Sequence, residues 1–155
     1  MRHAVLGAVR GLCASAVLGL GCSSASAPAP NSFTEVYTKV IAPSCSSDYC
    51  HANGVGIRYS ALDMSSQVVA YWSLVDQPLS GPSCALMGTR VVPFQPQASI
   101  MYQKVSQSMP PCGSQMPADP TVLLTKGSAV FSGAALSSDQ QQLIYNWIAD
   151  GAQDN

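Results

Sequence analysis

Two connections in this chain, Pro78 to Gly88 and Met109 to Pro120, are too rich in turn residues to be regular structure, and each carries one cysteine. The second holds four prolines and one glycine in twelve residues. Structureless connections of this length are uncommon in a compact domain unless something holds them. With 155 residues the chain allows one domain and little more. A small helical domain with such loops needs a covalent staple, a cofactor, or both. The residues able to supply either are six cysteines and two histidines.

Residues 1–22 read as an export signal. Arg2 and Arg10 form its positive end, and Gly11 to Gly21 is an apolar run too short to span a bilayer. The run ends in Leu18-Gly19-Leu20-Gly21-Cys22, which resembles the lipobox of bacterial lipoproteins, with glycine at the position usually held by an aliphatic residue. The competing site is cleavage after Ala25-Ser26-Ala27, where Pro28 would hinder a peptidase. Lipidation of Cys22 is therefore the favoured expectation, and both routes take the chain out of the cytoplasm. Residues 23–31 then form a flexible tether, and 32–152 the folded domain. No apolar stretch after the signal is long enough to cross a membrane, so any membrane attachment is through the lipid.

Export changes the inventory. Cys13 and His3 leave with the signal, and Cys22 becomes the lipid anchor. Cys45, Cys50, Cys84, Cys112 and His51 remain, in a compartment where free thiols rarely persist. Loss of Arg2 and Arg10 leaves five Lys and Arg against eight Asp and Glu, a net charge of −3. That balance lacks the clustered cations a nucleic-acid surface needs.

The domain reads as all-α, with three to four helices. Ser32-Phe33-Thr34-Glu35 is a capping box. Phe33, Val36, Tyr37, Val40 and Ile41 follow at helical spacing until Pro43 stops the helix. Asn53-Gly54-Val55-Gly56 is a turn. Ser65-Ser66 caps a second helix bearing Val68, Val69, Trp72 and Val75, and a third is predicted over Ala98 to Val105. The last helix starts at Ser137, buries Leu143, Ile144, Trp147 and Ile148, and ends at Gly151 in a left-handed cap. Trp72 and Trp147 are both expected in the core.

The most informative string is Cys45-Ser46-Ser47-Asp48-Tyr49-Cys50-His51. Haem c is attached where two thiols add to the haem vinyl groups and the next histidine ligates iron, usually as C-x-x-C-H. Here two extra residues separate the cysteines. On the residues alone two readings stand: thioether attachment with His51 as ligand, or a local Cys45–Cys50 disulfide beside a surface histidine. Cys84 and Cys112 have no adjacent histidine and are expected to pair as a structural disulfide across a loop of about 28 residues.

In the order of its pieces the chain resembles the planctomycete-type cytochrome c domains, relatives of the class I c-type cytochromes. Those pieces are Val40 to Cys45 ahead of Cys50-His51, then Arg90-Val91-Val92-Pro93, then Ala98 to Val105. Cys112-Gly113-Ser114-Gln115-Met116-Pro117 follows, and last Trp147-Ile148-Ala149-Asp150-Gly151-Ala152. The resemblance spans nearly all of residues 33–152. It implies a cytochrome c-like fold with one covalent haem c, tethered by Cys45 and Cys50 and ligated by His51 and Met116. Met109, also followed by proline, is the rival distal ligand, and Tyr49 is placed to pack on a haem edge. The family's turn after Val-Val-Pro carries glycine where this chain has Phe94.

Other chemistries lack their parts. No carboxylate pair has general acid/base spacing, and with one histidine committed beside Cys50 no base remains for a serine nucleophile. Cys₃His zinc ligation is formally available, and a small peroxidase would need the position opposite His51 left open. The expectation is a monomeric electron carrier, not an enzyme, that meets redox partner proteins at the periplasm or cell envelope. The alternative is a haem-free exported lipoprotein stapled by Cys45–Cys50 and Cys84–Cys112 and serving binding or envelope structure.

Overall fold

The computed structural model describes residues 29–52, 57–58, 60–118 and 135–155. The predicted export signal, Cys22, most of the predicted tether and the turn expected at Asn53–Gly56 lie outside the described residues. Within them the regular elements are helical and no strand forms; Val75–Val91 and Pro78–Thr89 are isolated bridges. None of these helices is long and apolar enough to cross a membrane.

Helix α1 runs as an α-turn Phe33–Val36, a π-helical segment Tyr37–Ile41 and a closing turn Ala42–Ser44. Ser32 caps it by accepting the Glu35 N–H, as predicted. The reciprocal half of the box is displaced: the Ser32 N–H donates to the Ala29 carbonyl at 3.1 Å, and the Glu35 carboxylate accepts the N–H of left-handed Asn31, φ 58°, at 3.1 Å. The remaining first-turn amides go to the chain's other end, Phe33 N–H to Asn155 Oδ1 and Thr34 N–H to the Asn155 carbonyl, both at 3.0 Å. Pro43 does not end the helix but sits inside its last turn. It has no N–H for the Lys39 carbonyl four residues back, and Gln140 Nε2 donates to that carbonyl at 3.3 Å instead.

Helix α2, Gln67–Leu74, is capped by Ser66 as predicted but buries a different side. Ala70 and Leu74 face the core, while Val68, Val69 and Trp72 are exposed, Trp72 at 66%. The segment QVVAYWSL is apolar on nearly every side, so spacing alone selects no face. Tyr71 selects it: its ring meets Phe33 edge-on at 5.2 Å and its hydroxyl donates to the Ala152 carbonyl at 3.1 Å. Trp72 is left beside Tyr71 with ring centroids 5.4 Å apart.

The third predicted helix is two pieces, a 3₁₀ turn Pro96–Ala98 and helix α3, Ile100–Ser106. Buried Ser99 separates them, its Oγ accepting the Val92 N–H at 2.8 Å and donating to the Gln95 carbonyl at 2.9 Å. Helix α4, Ser138–Ala149, carries the full capping box between Ser137 and Gln140. It buries Ile144, Trp147 and Ile148 against Phe33, Val36, Val40 and Ile41 of α1. Gly151 is left-handed at φ 102°, and a Cβ there would fall 2.7 Å from the Phe94 ring. Phe94 itself takes φ 64°, so the turn keeps the backbone a glycine would give and the extra ring occupies the space Gly151 vacates.

Candidate functional site

The end of α1 delivers Cys45 into a tight turn. Cys45 and Ser46 both donate to the Ile41 carbonyl, Cys50 N–H donates to Ser47 at 2.9 Å, and His51 N–H returns to the Cys45 carbonyl at 3.0 Å. The two residues beyond the usual haem-c spacing are absorbed in this turn, which folds Cys45, Cys50 and His51 onto one short segment. The turn is clasped to Met64: Ser46 Oγ donates to its carbonyl at 2.6 Å, and its N–H donates to the His51 carbonyl. Tyr37 on α1 donates to the same Met64 carbonyl at 3.5 Å.

Cys45 and Cys50 are free thiols in this fold. Cys45 packs against the main core. Burial pushes its thiol up to about 12, and Cys50 adds to the rise. Thiolate is the species that attacks a disulfide or an alkylating agent, so a thiol held protonated stays unreacted. In the folded haem-free chain at pH 8, the thiolate fraction of Cys45 is expected to fall about a thousandfold below that of an ordinary cysteine. Iodoacetamide labelling followed by peptide mapping checks this; equal Cys45 labelling rates in buffer and in urea would contradict it.

His51 is half-buried, and its Nδ1 lies 2.9 Å from Ser60 Oγ. Burial lowers its pKa; the Leu62 carbonyl opposes that, and the charges of Arg90 and Lys104 lower it further. The lowered pKa favours the neutral imidazole, the protonation state in which a histidine can ligate a metal.

Met116 is half-buried and packs on the same core cluster as Cys45, whereas Met109 is 86% exposed. The structure thus places Met116, and not Met109, on the core that the Cys45–His51 turn abuts. Met116 N–H donates to the Lys104 carbonyl at 2.8 Å. Tyr49 is exposed. Cys84 and Cys112 form the expected disulfide, with Cα atoms 5.3 Å apart, and with Ile100 and Leu79 they make a small second core. That bond removes two of the thiols a Cys₃His zinc site would need. Among the described residues no group of three or more His, Cys, Asp or Glu side chains is gathered as a ligand set.

Sequence reasoning passed over three residues that shape this site: Ser60, Arg90 and Lys104. Arg90 stood in the resemblance as the first residue before Val91-Val92-Pro93, a signal without a role attached. Lys104 stood in the Ala98 to Val105 piece, likewise without a role, and Ser60 carries no signal, since a lone serine is usually solvated surface. No protein-family model, curated protein or solved structure matches the chain.

Proposed function

We propose that this chain is a mono-haem c-type cytochrome that carries single electrons between redox partners outside the cytoplasm, anchored by lipid at Cys22. The observation that carries the reading is the Cys45–His51 turn: two free thiols and a half-buried imidazole on one segment, with a half-buried methionine on the adjoining core. The donor set suits the group, since thiols at Cys45 and Cys50 can form thioethers, and His51 and Met116 offer the nitrogen and sulfur of an axial pair. Bound haem would supply the one-electron iron couple. The protein's part is to orient His51 through Ser60, to keep its ring unprotonated, and to hold the Met116 thioether, which favours the reduced metal.

The test is expression with a haem-c maturation system, followed by intact mass and a reduced visible spectrum. One added haem and sharp α and β bands are expected. Met116→Leu should lower the reduction potential by removing the thioether, while Met109→Leu leaves it unchanged. A colourless mature chain, lighter than its fully reduced form by the hydrogens of two disulfides, would support the haem-free lipoprotein instead.

A further inference from the structure

Lys104 stands on α3, half-buried, with its ammonium on the neighbouring loop. Nζ donates to the Cys112 carbonyl at 2.8 Å and to the Ser114 carbonyl at 3.1 Å. Its backbone carbonyl accepts the Met116 N–H at 2.8 Å. One residue therefore grips three alternate positions of the segment 112–116, two through its side chain and one through its main chain. No carboxylate pairs with it: the one ion pair among the described residues joins Lys39 and Glu35. A half-buried ammonium spent on two loop carbonyls loses hydration that a surface lysine would keep, and the return is order in a loop that has no regular structure. The fit is close, since a Cβ on Gly113 would fall 3.0 Å from Nζ and 3.5 Å from the Cys84 sulfur. Gly113 also takes φ 59°, so the loop residue between the two gripped carbonyls is the one that leaves room for the lysine.

We infer that Lys104 is the positioning residue of the methionine arm: it binds segment 112–116 to α3 and so sets where the Met116 thioether stands. The disulfide holds only Cys112, at the far end of that segment. Between Cys112 and Met116 Lys104 holds the backbone at three points. This inference rests on Met116 as the distal ligand for its functional meaning, but the ordering of the loop is a property of the protein alone.

The test uses Lys104→Met, which keeps the length and apolar stem and removes the donors, with Lys104→Arg as the conservative partner. In the haem-free mature chain, amide hydrogen exchange at Met116 is expected to rise about tenfold or more in Lys104→Met, as losing charge-assisted hydrogen bonds implies. Lys104→Arg should restore most of the protection. Gly113→Ala should raise the same exchange, because its Cβ crowds Nζ and strains a backbone held at φ 59°. In haem-loaded protein Lys104→Met is expected to weaken the ferric methionine-to-iron band and lower the reduction potential, with the thioether-attached mass unchanged. Unaltered Met116 exchange in Lys104→Met would overturn the positioning role, whether or not haem is present. A chain that takes up no haem but shows the exchange changes would overturn the cytochrome reading and leave the role of Lys104 in ordering the loop standing.

Discussion

Replacing both Cys84 and Cys112 by serine is expected to cost about 3–4 kcal/mol of folding stability, the entropy returned to the unfolded chain when a loop of 28 residues is opened. Against the 5–15 kcal/mol usual for a domain, that is a large share. The midpoint of thermal unfolding should fall by on the order of 10 °C. Two features make the loss local as well as global. The sulfurs, with Ile100 and Leu79, are the whole of the second core, so the serines leave Ile100 short of apolar partners. The Cys112 carbonyl is also one of the two that Lys104 grips, so freeing residue 112 loosens the approach to Met116. Urea titration of the variant and the parent, compared by midpoint and slope, measures the effect. A loss below about 1 kcal/mol would mean that the two loops are held without the bond and that the disulfide is incidental.

The loops explain why the sequence disclosed some parts of this molecule and not others. Helix starts were legible because an N-cap is a local contract: Ser32, Ser66 and Ser137 each accept an amide from three residues ahead, whatever the rest of the chain does. The buried stripes of α1 and α4 were legible because polar residues flank them. The face of α2 was not, since its orientation depends on Tyr71 reaching Phe33 and Ala152, contacts 38 and 81 residues distant in sequence. The break at Ser99 escaped for a related reason. A buried serine bridging Val92 and Gln95 looks, in sequence, like one more helical residue. In the candidate site the order of Cys45, Cys50 and His51 was readable, as was the Cys84–Cys112 pair. The choice of Met116 over Met109 came from the family resemblance, and the structure adds burial to it. What spacing cannot supply is the supporting shell. Arg90 and Lys104 act mainly through hydrogen bonds to backbone carbonyls, which have no letter in the sequence, and Ser60 reaches His51 across a fold-dependent gap of nine residues.

Arg90 is the costliest of these to remove. It is 8% exposed and donates to the carbonyls of Ser73 and Ala61, both at 2.6 Å, and to Ser80 Oγ at 2.8 Å. Ser73 lies in the last turn of α2, where the carbonyls are unpaired and the helix dipole favours a cation. The guanidinium thus ties the end of α2, the segment just after Ser60, and the loop leading to Cys84 at one point. Arg90→Leu keeps much of the stem volume but strips the part-buried Ser73 and Ala61 carbonyls of their charged donor, so a loss of about 2–4 kcal/mol is expected. Arg90→Lys, which has one nitrogen for three widely placed acceptors, should fall between the two. The variant also has a signature in pH. In the parent, the folded chain holds the His51 pKa below its ordinary 6.5, so beneath that pH the unfolded chain binds more protons and stability declines as acid is added. The contribution is complete above pH 6.5 and drains away toward the folded pKa. Burial is the main cause of the depression and Arg90 a lesser one, so Arg90→Leu should make the decline shallower without abolishing it. Urea titrations of the haem-free chain at pH 7.5 and 5.5 separate the effects. Arg90→Leu with a small loss at pH 7.5 would show that water replaces the guanidinium at little cost. An acid slope as steep as the parent's would show that its charge does not reach His51.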